Sequence, residues 1–215
     1  SLHLNFSSLT NKSGFLNPAI SLNFFDTKTS QSISLPYYFN IDVDKELLFT
    51  PIINYGGGVD SSQRFVFDYN QIISGGSLKT DLTFDSNFER KNNREWFKDA
   101  SLISNYNKNL NEKYKFQIES ALQTSKNYIQ ITKPNDDLSY TNSLSSSIIL
   151  EGFNLRKIDD QLKVGLNFYQ TNQVNEDSKT IPTVFPNIKY FSGYEKKFGR
   201  ISNSSYEFYN IFREK

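Results

Sequence analysis

The sequence predicts an all-β chain folded as an antiparallel up-and-down meander, and three observations lead there. Across most of the 215 residues apolar and polar side chains alternate with a period of two, the spacing of a two-faced strand rather than of a helix. Clusters of Gly, Pro, Asn, Asp and Ser punctuate these runs at short intervals, and strands joined by short links must run antiparallel. The third is aromatic load: 19 Phe and 13 Tyr sit in a chain whose hydrophobic content is only 37%, unlike the Leu-, Val- and Ala-rich core of a soluble domain.

Taken in order, residues 19–25 form an extended piece after Pro18. Strands follow near 31–41, 46–54, 63–73, 77–88, 96–107, 113–124, 140–151, 160–171, 184–195 and 199–212. Alternation is cleanest in LKVGLNF, where Leu162, Val164, Leu166 and Phe168 oppose Lys163, Gly165 and Asn167. Tyr114, Phe116 and Ile118 likewise oppose Lys115, Gln117 and Glu119, and Leu78, Leu82 and Phe84 oppose Lys79, Asp81, Thr83 and Asp85. The run at 96–106 is less clean, because Trp96, Ala100 and Ile103 also share one face of a short helix. Turns are expected at the three glycines 56–58, at Ser74, Gly75 and Gly76, at Asn109 to Asn111, and at Pro134 to Asp137. No unit of about 20–50 residues repeats, so neither a propeller nor a solenoid is expected.

The alternation fits a sandwich or a membrane barrel equally. Length favours the barrel: most predicted strands run to about 9–12 residues, beyond the usual globular strand of about 5–6 and close to the roughly 9–11 that cross a bilayer at a tilt. No apolar stretch approaches the ~18 residues of a transmembrane helix. In a barrel, Leu162, Val164, Leu166, Phe168, Tyr114, Phe116 and Ile118 would face lipid. Lys115, Gln117, Glu119, Lys163, Asn167, Lys79, Asp81 and Asp85 would face the lumen. The opening SLHLNF has no signal-peptide pattern and the chain has no Met, which reads as an internal fragment.

Charge and chemistry exclude several classes. With 24 basic against 23 acidic side chains there is no field for a polyanion, and the basic cluster RKNNR at 90–94 reads as a solvated turn, so no nucleic-acid partner is expected. Cysteine is absent. The single histidine, His3, has no G-x-S-x-G nucleophile near it, and no enzyme, cofactor or metal is expected. The pairs Asp136, Asp137 and Asp159, Asp160 read as loop carboxylates, with calcium or a cation-bridged sugar phosphate as the weaker alternative. The glycines at 56–58 lack the lysine of a phosphate loop, and the sequons at Asn5, Asn11 and Asn203 are what an Asn- and Ser-rich chain produces by chance.

One hairpin stands out. In SLPYYFNIDVDKELLFTP, residues 34–51, two apolar runs flank a polar tip, yet each carries a proline, Pro36 and Pro51. Proline cannot donate to a ladder and is confined to strand starts, edges and bulges. From the residues alone, that is all these two mark.

A resemblance sharpens this reading. SGFLNP at 13–18, PYYFNI at 36–41 and the proline fifteen residues after Pro36 resemble the start of the barrel in the lipopolysaccharide-assembly outer-membrane protein (LptD) family. TSKNYI at 124–129, LSYTNSLSSSIILEGFN at 138–154, DDQ at 159–161 and IPTVFPNIKY at 181–190 resemble later segments of that family, in order. Each motif is short and only the set is specific. Val43 and Glu46 depart from the Pro and Asp frequent in the family's hairpin tip.

The resemblance implies a periplasmic β-jellyroll followed by a barrel of 26 strands in the outer membrane. Residues 1–28 would end the jellyroll and lead into the barrel, and 29–215 would supply roughly its first ten strands. It implies a non-enzymatic translocon that takes lipopolysaccharide from a periplasmic LptA-like bridge protein, through the jellyroll, and releases it sideways among the outer-membrane lipids. An LptE-like lipoprotein would plug the barrel. Pro36 and Pro51 would then weaken a lateral gate, with Tyr37, Tyr38 and Asn40 beside it. Counting strands puts the long links 125–139 and 172–183 on the periplasmic side, whereas barrels usually keep long loops outside. Two other readings compete: a porin or ligand-uptake barrel, and a secreted β-sandwich binding carbohydrate through Tyr37, Tyr38 or Trp96.

Overall fold

The computed structural model describes residues 12–21, 31–55, 62–87, 99–175, 181–197 and 200–213. His3, Asn5, Asn11, the glycines at 56–58, the cluster at 90–94, Trp96 and residues 22–25 lie outside them. The described strands are β1 (Gly14–Phe15), β2 (Ala19–Ser21), β3 (Gln31–Ser34), β4 (Tyr37–Asp42), β5 (Lys45–Tyr55), β6 (Ser62–Ile73), β7 (Gly76–Asn87) and β8 (Asp99–Asn109). There follow β9 (Tyr114–Gln123), a short helix α1 (Tyr128–Thr132), β10 (Ser143–Phe153), β11 (Gln161–Thr171), β12 (Thr183–Phe191), β13 (Glu195–Lys197), β14 (Arg200–Ser202) and β15 (Ser205–Phe212).

From β4 onward the chain is the expected meander: β4-β5-β6-β7-β8-β9-β10-β11-β12-β15 pair in sequence order, every pairing antiparallel. β1 pairs with β4, and β2 with β3, which itself pairs with β5, giving one 13-stranded sheet that does not close on itself. The described part of the N-terminal segment is therefore an edge of the same sheet. The described part of the run at 96–106, with its competing helical pattern, lies in the strand β8.

Registers sort the side chains. Phe67, Leu82, Leu102 and Leu122 share one row across four strands, and Phe116, Leu150, Val164, Ile188 and Phe208 share another on the same face. Phe49, Phe67, Phe65 and Phe84 run diagonally over it with ring centroids 4.8–6.2 Å apart. The opposite face carries Asp68, Asp81 and Ile103 in one row and Asn70, Lys79, Asn105 and Glu119 in the next. All seven residues expected to face lipid lie on the apolar face, and all eight expected in the lumen lie on the polar one.

Burial runs opposite to a soluble domain. Among the described residues five apolar side chains are buried, Tyr38, Ala121, Tyr128, Ile129 and Leu144, against twenty-five large ones exposed, while Thr83, Ser101, Asn172, Thr171 and Asp160 are 0–2% exposed. No second layer covers the apolar face among the described residues; the one other sheet there is the β13–β14 hairpin.

Connections differ between the two ends. Among the described residues, 43–44, 74–75, 110–113 and 154–160 link strands at one end, and 124–142 and the link that leaves the sheet at Asn172 and re-enters it at Thr183 lie at the other. The two long links 125–139 and 172–183 thus share an end. Ser74–Gly75 is a tight reversal: Gly75 has φ 77°, and a Cβ on Gly76 would stand 1.9 Å from the Asn107 carbonyl oxygen.

Four predicted strands change. The strand at 31–41 breaks into β3 and β4 at Leu35–Pro36, where the ring removes a donor. The one at 140–151 begins only at Ser143, because Asp136 accepts from the Leu138 N–H (2.9 Å) and caps a 3-10 turn over Asp137–Tyr140. The pair at 184–195 and 199–212 shortens to β12 and β15, the residues between forming β13 and β14.

Candidate functional site

The prolines of the first hairpin meet at one level of the sheet. Ser34 pairs with Ile52 and Tyr37 with Phe49, so Leu35–Pro36 lies opposite Thr50–Pro51. Leu35 donates to the Pro51 carbonyl at 3.1 Å. In a strand a residue's N and O point the same way, so Pro51 aims its missing N–H at Leu35 and deletes the return bond of that pair. The β5–β6 ladder on its other side runs without interruption from Lys45 to Ile53. Leu16 likewise donates to the Pro36 carbonyl at 2.9 Å, so the donor missing at Pro36 faces β1.

This divides a role expected to be shared. Pro36 weakens the outer edge of β4, whereas Pro51 weakens the junction between β3/β4 and β5. Pro18 falls between Phe15↔Tyr37 and Ala19↔Ser34, opposite the same break, so three prolines line up across three neighbouring chain segments. Tyr37 lies on the apolar face between Phe15, edge-on at 4.8 Å, and Phe39, tilted at 4.5 Å. Tyr38 and Asn40 lie on the polar face, where the Tyr38 hydroxyl donates to Glu46 Oε2 (2.9 Å) and Asn70 Nδ2 donates to Glu46 Oε1 (3.2 Å). They border a cavity of about 550 Å3 that Lys79 also lines.

Ion pairs organise the polar face. Arg64 holds Asp85, its direct cross-strand partner, by two parallel bonds, Nε to Oδ1 at 2.8 Å and Nη2 to Oδ2 at 3.0 Å. Lys163 pairs with Glu151 at 3.3 Å and Lys189 with Glu207 at 3.2 Å, again across strands. Asp68 and Asp81 stand directly opposite one another, a repulsive arrangement, and Lys133 from the 124–142 link reaches Asp81 to offset it.

That link folds over the polar face. Ile129 packs with Ala121 and Leu144, Ile103 and Leu138 flanking, and the Tyr128 ring lies 6.0 Å from the Arg64 guanidinium carbon. Two buried amides clamp it. Gln123 Nε2 donates to the Thr171 carbonyl and to Asn172 Oδ1, both 3.2 Å, while its Oε1 accepts from the Ile129 N–H at 3.0 Å. Asn172 Nδ2 donates to the carbonyls of Leu138 and Thr141 at 3.0 Å each. Where the β9–β10 ladder stops at Glu119↔Ser147, side chains continue it. Ser146 Oγ accepts from the Ala121 N–H (3.0 Å), and Gln170 accepts from the Gln123 N–H (3.0 Å) and donates to its carbonyl (3.4 Å).

At the other end, the 154–160 turn closes around Asp160. Its carboxylate accepts from the N–H groups of Leu155 (2.6 Å), Arg156 (2.9 Å) and Lys157 (3.2 Å) and from the Tyr190 hydroxyl (3.4 Å). Burial disfavours the charge, but these donors outweigh it and hold the carboxyl below its ordinary range. The carboxylates of Asp136 and Asp160 thus serve the backbone, and no group of three or more metal-ligating side chains exists among the described residues.

Sequence reasoning placed both faces and the proline hairpin. It missed Arg64, Gln123, Gln170, Asn172 and the inward link. The apolar triplet Tyr128, Ile129, Ile131 inside a loop was the available signal. No family model matches this chain and no curated protein matches it significantly, so faces, seam and clamp stand on their own geometry.

Proposed function

We propose that the chain is part of an outer-membrane β-barrel of the lipopolysaccharide-assembly kind, in which the proline-flawed first hairpin lies beside a lateral exit. One observation carries the membrane part: strands of about ten residues present an apolar, aromatic-rich face that nothing covers among the described residues, while polar residues hold most of the burial there. The flawed hairpin supports the exit, because missing reciprocal bonds lower the cost of parting strands there without touching the β5–β6 ladder. Lipopolysaccharide is the proposed cargo, an LptE-like lipoprotein the partner on the polar face, and an LptA-like bridge protein the periplasmic donor.

Two experiments test this. The full-length protein should require detergent and enter liposomes; a monodisperse, detergent-free protein that ignores liposomes would remove the barrel. Depleting it in cells should hold newly made lipopolysaccharide on the periplasmic side, and unchanged delivery to the outer leaflet would remove the cargo.

A further inference from the structure

We infer that the 154–160 turn and the β13–β14 hairpin together form a binding site for anionic lipid headgroups; the membrane setting rests on the reading above. Just inside these two connections one row of the apolar face crosses five strands, through Tyr114, Gly152, Leu162, Tyr190 and Tyr206. The next row down is wholly apolar, Phe116, Leu150, Val164, Ile188 and Phe208. Three tyrosines at one level mark the depth at which a lipid-facing sheet meets the headgroups, because a phenol keeps its ring among acyl chains and its hydroxyl in water. Leu155 folds from the turn onto the row at Gly152, where a Cβ would stand 2.8 Å from it.

Above that row the two connections are joined and cationic. Tyr190, in the row, donates from its hydroxyl to Asp160, whose carboxylate otherwise serves the turn's own N–H groups, and Arg156 and Lys157 are exposed on that turn. Gly193, with φ 73°, backs onto the same turn; a Cβ there would stand 2.5 Å from the Ile158 carbonyl oxygen. Ser192 and Ser204 close the base of the hairpin by two bonds, at 2.8 and 2.9 Å, and β13 pairs Lys197 with Arg200 and Lys196 with Ile201. Five cationic residues thus share one corner of the rim with Asp159 and Glu195, Asp160 being taken up by the backbone. Ile158 and Tyr194, 82% and 64% exposed, lie among them. The β4–β5 turn at the same end is the opposite, with Asp42, Asp44 and Glu46 against Lys45. The rim is polarised, and its β10–β14 corner is the part complementary to a phosphate. A cationic turn set on a tyrosine row fits a phosphate that carries acyl chains, since those chains lie along the apolar face below; a free phosphate makes no use of the row.

The full-length protein in neutral detergent, titrated with dioleoylphosphatidylglycerol or dioleoylphosphatidylcholine and followed by native mass spectrometry, should retain the anionic lipid preferentially. Lys197→Gln with Arg200→Gln should weaken that retention by about tenfold or more, as a roughly fivefold loss per cation at a lipid surface implies. Lys45→Gln with Lys113→Gln, on other turns of the same rim, should leave it within about twofold. Equal retention of the two lipids, or an equal loss in both double variants, overturns the site. Displacement of the lipid by millimolar inorganic phosphate assigns the corner to free phosphate and overturns the lipid source. The barrel fails separately: a full-length protein that is monodisperse without detergent and ignores liposomes, yet binds phosphatidylglycerol through Lys197 and Arg200, removes the membrane reading and leaves the site.

Discussion

The two sides of β5 are built differently. Toward β6 and β7 the ladders are unbroken, twelve consecutive residue pairs joining β6 to β7, with the Arg64–Asp85 fork, a Phe diagonal and the clamped link laid over them. Toward β4 and β1 the ladder breaks at Pro36, shifts register between Asn40 and Asp42, and ends in a two-residue strand. One chain thus holds a continuously paired wall and a sparsely paired margin side by side. The boundary is set by which way Pro51 points its missing donor.

Removing the fork should test the wall most severely. Asp85→Leu leaves the Arg64 charge partly buried without its partner and should cost about 3 kcal/mol, read as a lower urea midpoint in detergent with β4–β5 exchange unchanged. Gln170→Leu comes next: two bonds to the Gln123 backbone are lost, about 1–3 kcal/mol, and exchange should rise at Gln123 before it rises at Ile118. Asp160→Asn should destabilise less than either. Because the folded pKa is depressed, the wild-type contribution is present above the unfolded value near 4 and is lost as pH falls through the folded one. An acid titration of stability should therefore show a step that the variant lacks.

The smallest changes address the margin. Pro51→Thr restores one donor between β3/β4 and β5, and Pro36→Thr one between β1 and β4, each about 0.5–1.5 kcal/mol at most. Exchange should slow at Leu35 in the first variant and at Leu16 in the second. The same response in both would mean that the prolines share a seam after all. Under the proposed release of lipopolysaccharide at this margin, combining the two should slow that release.

Much of this was legible because a strand's two faces follow directly from alternation. Reading Leu162 to Phe168 with period two suffices to place seven residues on one face and eight on the other. What could not be read depends on registers between distant segments: that Arg64 meets Asp85, or that Gln123 meets Asn172, requires knowing how many residues each turn consumes. The link at 124–142 hides for another reason. Ile129 and Leu138 are too few to show a period, and their burial comes from Ala121 and Leu144 on two neighbouring strands. The prolines were visible, but the direction of their missing donors was not, since that depends on odd and even positions in each pairing.

Position 170 is main chain in all but covalent structure. Its amide offers β9 one donor and one acceptor at the spacing a tenth strand's peptide unit would have used, so the strand can leave its neighbour without orphaning its own polar groups. What evolution can place there is therefore limited by chemistry rather than by hydrophobicity: a carboxamide of the right reach fits, while isosteric Glu or Leu would supply half of the pairing or none of it.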